Sequence, residues 1–63
     1  MKTLQLANMT NYANIYSIKE DGATIGTIEI ILAGVNAGRS RCCVWSGKYT
    51  KRDIRRFYKE LRK

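Results

Sequence analysis

Ile15-Tyr16-Ser17-Ile18-Lys19-Glu20-Asp21-Gly22-Ala23-Thr24-Ile25-Gly26-Thr27-Ile28-Glu29-Ile30-Ile31-Leu32 decides the fold. Its first five residues are rich in strand formers, and Glu20-Asp21-Gly22 supplies a turn in which a glycine tolerates positive φ. Ala23 to Leu32 then returns as a second strand. Successive side chains in a strand point to opposite faces, so Ile28, Ile30 and Leu32 share one face with Gly26 in register, while Thr27 and Glu29 share the other. The stretch is a hairpin.

Downstream, Ala33-Gly34-Val35-Asn36-Ala37-Gly38 carries two glycines and an asparagine, the composition of a loop that reverses direction. Ser40 to Ser46 follows as a third strand of an antiparallel sheet. In it Cys42 and Val44 lie on one face, and Arg41, Cys43 and Trp45 on the other; the sequence leaves open which face is core. Thr50 then caps a helix that reads from Thr50 to Lys63. Asp53, three residues on, completes a capping box ahead of the apolar stripe Ile54, Phe57, Tyr58, Leu61 at i, i+3, i+4, i+7. That stripe should lie across one face of the sheet, which gives an α+β fold: a three-stranded antiparallel sheet (β-β-β) packed on one C-terminal amphipathic helix. Upstream, Thr3-Leu4-Gln5-Leu6 alternates like a short strand, yet Leu6, Met9 and Ala13 also suit a helical turn, so a short extra element at the N-terminus stays open. Tyr12, Tyr16 and Phe57 have no spacing that marks a stacking motif and read as core or half-buried.

With 63 residues the chain reads as a single small basic domain spanning 1–63, without repeats, low-complexity tracts or proline. A domain this small buries little surface, so a staple or self-association would help it. Cys42 and Cys43 are adjacent and cannot join distant segments. With no histidine and no third cysteine, a metal site lacks soft ligands. Both therefore read as free structural thiols in a reducing cytoplasm, and a homodimer remains as a source of extra burial. The N-terminus lacks a continuous apolar stretch of signal-peptide type. The longest apolar run, Ile30 to Val35, is far short of the roughly 20 residues of a membrane span.

Twelve lysines and arginines against five acids leave a net charge of +7, which implies attraction to phosphate or acidic surfaces. Only Lys2 and Lys19 precede Arg39, and seven cations lie between Lys51 and Lys63. At 100° per residue Arg52, Arg55, Arg56, Lys59, Arg62 and Lys63 fall on the arc opposite the apolar stripe, with Asp53 and Glu60 on one flank. A merely solvated face ordinarily mixes signs, and like charges at i, i+3 and i, i+4 destabilise a helix, so an unrelieved arc points to use. Guanidinium forks suit bidentate contact with phosphate or carboxylate.

A second patch combines Arg39, Arg41, Trp45 and Lys48, with Tyr49 beside them, on and around the third strand; its aromatics could stack on bases while its cations hold phosphates. Against that, a single tryptophan in a small domain is more often its core anchor, and Lys48 and Tyr49 can simply form a turn.

Enzymatic readings are weak: there is no histidine, the acids form no defensible pair, no phosphate-cradling glycine loop occurs, and a reactive Cys43 beside Arg41 would lack a base and a cleft. No catalytic residue, metal or cofactor is expected. What remains is a cytoplasmic nucleic-acid-binding module, with duplex DNA favoured and RNA open. It would contact phosphates through Lys51, Arg52, Arg55, Arg56, Lys59 and Arg62, with Arg39, Arg41, Trp45 and Lys48 beside them. The alternative is a protein-binding modulator or inhibitor whose basic helix docks on an acidic surface of a larger enzyme or nucleoprotein complex. Attachment to an anionic membrane surface is weaker still, because the sheet uses the apolar stripe.

The order of three strands and a helix resembles small DNA-binding modules whose three-stranded sheet enters the major groove, such as the arm-binding domains of integrases. Thr50-Lys51-Arg52-Asp53-Ile54-Arg55 is similar to the start of the last helix in double-stranded RNA-binding domains, which implies phosphate contacts at Lys51, Arg52 and Arg55. The first helix and the proline-histidine loop of that family are missing here.

Overall fold

In the computed structural model residues 1–62 are described, and Lys63, the last member of the basic arc, lies outside the described residues. The elements are β1 (Lys2–Met9), β2 (Ala13–Glu20), β3 (Ala23–Ile31), β4 (Ser40–Val44) and α1 (Lys51–Leu61). The strands form one antiparallel sheet in the order β1-β2-β3-β4, with the helix on one face. The α+β layout of an antiparallel sheet with a C-terminal helix is as expected, but the sheet has four strands and not three. The addition is β1, paired with β2 from Lys2↔Glu20 to Met9↔Asn14. An edge strand has one neighbour, and in β1 only Lys2 and Leu4 are even half-buried, so its alternation is faint. Thr10 closes the turn into β2: its hydroxyl accepts from the backbone N–H groups of Tyr12 and Ala13, and its own N–H donates to the Ala13 carbonyl.

Between β2 and β3 the loop is Asp21-Gly22, with φ of 50° and 89°. Positive φ at both positions is the type I′ turn, whose twist matches that of a hairpin. The β2–β3 register steps from Ile18↔Gly26 to Lys19↔Thr24, which leaves Ile25 as a bulge residue. The extra residue lets the consecutive Ile25 and Gly26 both be buried, a break in alternation that a strict two-residue period does not foresee. Beyond it Ile28 and Ile30 face the helix as expected, whereas Leu32 lies past the end of β3 and is exposed.

β4 settles the core face. Cys42 is buried and Val44 packs beside it, while Cys43 and Trp45 are exposed; at 67% exposure Trp45 is no core anchor. The anchor is a cluster of Ile18, Ile25, Ile28, Cys42, Ile54 and Phe57, ringed by Leu4, Tyr16, Ile30, Val44, Tyr49, Tyr58 and Leu61. Branched aliphatics from the middle strands meet the apolar stripe of α1 here, and of the two β4 faces left open by the sequence it is that of Cys42 and Val44 that joins them. Of the tyrosines and phenylalanine read as core or half-buried, Phe57 and Tyr16 are so, but Tyr12 is exposed.

The helix start is as read. The Thr50 hydroxyl accepts from the Asp53 N–H at 3.2 Å, and the Asp53 carboxylate accepts from the Thr50 N–H at 2.9 Å. Gly26 lets α1 sit close: a Cβ at this position would stand 2.6 Å from Cδ1 of Ile54 and 2.8 Å from the Cys43 carbonyl oxygen.

Candidate nucleic-acid interface

Capping box and apolar stripe together fix the rotation of α1, and they leave Lys51, Arg52, Arg55, Arg56, Lys59 and Arg62 exposed. The cations divide between two sides of the helix. Arg52, Arg56 and Lys59, with Arg55, border an open groove of about 440 Å³ on its outward surface. Lys51 and Arg55 instead look along β4, the edge of the sheet.

Arg55 joins the two sides. Its Nε donates to the Ser40 hydroxyl at 3.3 Å and its Nη2 to the Ser40 carbonyl at 3.4 Å, long bonds that leave most of the guanidinium to solvent. It borders the outward groove, a depression of about 530 Å³ running past Lys51, Cys42 and Arg41, and a smaller one shared with Lys59 and Arg62. Past Ser40 a further hollow reaches Arg39 and Arg41. The helix arc and the arginines of the second patch, separate in the sequence, thus form one band wrapped around the β4 edge.

Charges along this band are only lightly offset. Asp53 makes an ion pair with Arg56 at 3.3 Å, but its carboxylate chiefly serves the helix start: the Thr50 backbone N–H holds its pKa below the usual value, with the Thr50 hydroxyl, Arg56 and Arg52 assisting. Glu29 is the cross-strand partner of Arg41 in the β3–β4 pair and lines the larger depression, which puts one carboxylate near that end of the band. Burial pushes the Cys42 thiol up, against the pull of Arg55 and Lys51, and keeps it a protonated core group. Arg56 lies over the Phe57 ring at 5.2 Å and Arg62 over the Tyr58 ring at 5.3 Å, so aromatic faces as well as methylene stems support the guanidinium groups.

Two residues of the second patch do not join. Trp45 stands beyond β4, on the strand side opposite the core. Lys48 lies in the turn before α1 and acts electrostatically on Glu20, whose carboxylate accepts from the Tyr49 hydroxyl at 2.7 Å and from Lys2 Nζ at 3.2 Å. That cluster closes the far end of β2. The Tyr49 bond is the main cause of the lowered Glu20 pKa, and Tyr49 also packs edge-on against Phe57 at 5.3 Å, so it is a structural tie.

Sequence reasoning missed Ser40 and Glu29. Ser40 matters through its position opposite the fifth helix residue, which no local pattern encodes; the cross-strand partner of Glu29 would have followed from a correct β3–β4 register. Among the described residues no three histidine, cysteine or acidic side chains are gathered as a metal ion requires. No described helix is long and apolar enough to cross a membrane.

Comparison with known proteins finds no matching family profile, no similar curated protein and no similar solved structure.

Proposed function

We propose that this protein binds nucleic acid, duplex DNA in the first instance, by laying the band around Arg55 along the phosphate backbone. The observation that carries the reading is the continuity of the band: Lys51, Arg52, Arg55, Arg56, Lys59 and Arg62 share one exposed surface whose grooves converge on Arg55. Phosphates are spaced regularly and demand a row of cations more than a pocket, and arginine offers each one a planar fork. Contacts of this kind set affinity and orientation without reading sequence. Arg39 and Arg41 extend the row, while Trp45 and Lys48 are peripheral to it.

Neutralising six phosphates on duplex DNA makes log K fall against log salt with a slope of about −5. Fluorescence anisotropy of a labelled duplex titrated at several salt concentrations measures that slope, with duplex RNA and single strands for comparison. Replacing Arg55, Arg56 and Lys59 together by alanine should weaken binding and flatten the slope by about three units. An unchanged slope sinks the assignment.

One observation favours a second reading, a modulator that docks on an acidic protein. The Trp45 N–H donates to the Ile25 carbonyl and the Arg39 carbonyl accepts from Ile31, so the backbone groups of odd-numbered β4 residues face β3. Those of Cys42 and Val44 face outward beside Lys51 and Arg55, where an extended acidic segment could add as a strand. Capture of a partner that survives nuclease treatment, with no binding to any nucleic acid at low salt, selects this reading.

A further inference from the structure

The other edge of the sheet is built differently. The Asp21 N–H donates to the Met1 carbonyl, so alternation turns the backbone groups of Thr3 and Gln5 toward β2 and those of Lys2, Leu4 and Leu6 toward the free edge. Proteins usually guard such edges with charge, proline, short length or a bulge. β4 is guarded, because it is five residues long, carries Arg41, and has Arg55 bonded to its Ser40 carbonyl. β1 has eight residues and no proline; its one charge, Lys2, is turned onto Glu20 at 3.2 Å. Only the bulge between Leu6 and Asn8 interrupts it, and Lys2 to Leu6 stays a regular open edge. Leu6 is 48% exposed there.

We infer that this segment pairs with the same segment of a second copy, antiparallel and centred on Leu4, to make a two-fold dimer with one continuous sheet. Three features select a second copy as the occupant. First, the outward groups fall on Lys2, Leu4 and Leu6, and pairing Leu4 with Leu4 and Lys2 with Leu6 satisfies all three on both chains. Second, two chains of net charge +7 can approach only where cations are absent or neutralised. At the β4 edge Arg41, Lys51 and Arg55 of both copies would collide, whereas in the β1 pairing each Lys2 lies opposite a leucine. Third, such pairing covers Leu6 with the aliphatic stem of the partner's Lys2, burial that a domain of this size lacks.

In this register Thr3 lies opposite the partner's Gln5 in a non-hydrogen-bonded pair, where side chains come closest. Both residues are exposed on the face away from the helix, and neither belongs to the basic band, so the test is independent of the nucleic-acid reading. Sedimentation equilibrium without nucleic acid should give a mass rising with concentration to twice the 7.2 kDa of the chain. The double variant Thr3→Lys/Gln5→Lys opposes like charges twice and should raise the dimer dissociation constant by about tenfold or more, with an unchanged circular dichroism spectrum. Thr3→Glu/Gln5→Lys opposes unlike charges twice and should dimerise more tightly than the parent, and less so in high salt. The second variant decides alone if the first does not fold. A parent protein that stays monomeric at millimolar concentration, or variants that dimerise as the parent does, overturns the inference.

Discussion

Gly26→Ala tests the packing that holds the basic helix in place. The added methyl would lie 2.6 Å from Cδ1 of Ile54, 2.8 Å from the Cys43 oxygen and 3.0 Å from Cγ1 of Ile54, where carbon atoms prefer about 3.5–4.0 Å. Two effects oppose each other. Gly26 has no positive φ, so alanine would gain roughly 0.5–1 kcal/mol from the less flexible unfolded chain. Overpacking costs about 1–3 kcal/mol, and the upper end applies because Ile54 is 0% exposed and the Cys43 oxygen belongs to the backbone of a paired strand. Steric cost wins, with a net loss of about 1–2 kcal/mol and a fall in melting temperature of roughly 5–15 °C for a domain of this size. Thermal melts followed by circular dichroism measure it. Ile54→Val removes Cδ1, the nearer obstacle, and alone should cost about 1 kcal/mol. The double variant should then be less destabilised than the two single effects added, by about 1 kcal/mol. A melting temperature unchanged or raised by Gly26→Ala would refute the close seating of α1, and strict additivity would show that Cδ1 is not what the methyl strikes.

Two further outcomes follow from side-chain placement. Glu20 and Asp53 have folded pKa values below their usual ones, the first chiefly through the Tyr49 hydroxyl and the second through the Thr50 backbone N–H. Their stabilising contribution is whole above the ordinary carboxylate range, near pH 4, and is lost as pH falls through the depressed values. Urea midpoints across a pH series should therefore fall below about pH 4, and Tyr49→Phe should lower the neutral-pH midpoint and shrink the acid drop; an equal drop in both proteins would refute the role given to Tyr49. Trp45→Ala should change stability by no more than about 0.5 kcal/mol, against about 3–5 kcal/mol for Phe57→Ala, as thermal melts would read; a large loss at Trp45 would contradict its exposure.

The elements legible in the sequence are those whose signals are local. Asp21-Gly22 allows only a few turn geometries, and the Thr50–Asp53 box with its apolar stripe specifies both the start and the facing of α1 without reference to the rest of the chain. β1 stayed open because an edge strand is shaped by one neighbour, and the alternation of Thr3 to Leu6 is broken after Leu6 by the bulge before Asn8. The core face of β4 escaped because both choices present a plausible apolar pair, and Trp45 looks like the larger prize for burial. What decides for Cys42 and Val44 is register: Cys42 lies opposite Ile28 and Val44 opposite Gly26, on the side where Ile54 descends. Arg41 shares the outer face of β4 with Cys43 and Trp45; what brings it and Arg39 near Arg55 is their place around Ser40 at the start of the strand, while Trp45 and Lys48 lie past its other end, so the candidate site was legible residue by residue on the helix and only partly on the sheet.

Charge and burial occupy separate sides of α1, and this separation lets a small domain carry such a helix. Like-charged neighbours at i, i+4, such as Lys51 with Arg55, Arg52 with Arg56 and Arg55 with Lys59, each oppose helix formation by only about 0.2–0.5 kcal/mol and are screened by salt. Burial of Ile54 and Phe57 acts on a larger scale, several kcal/mol for each side chain by the measure of truncation to alanine. The helix is therefore held by its apolar side and by its capping box, and neither would be improved by six exposed cations. Oppositely charged pairs on that surface would be neutral or mildly favourable for folding, yet they are largely absent: Arg56 with Asp53 is the one ion pair within α1 among the described residues. Like-charge repulsion is thus a small cost that the apolar side of α1 absorbs, and it leaves the cations free to converge on Arg55 at the sheet edge.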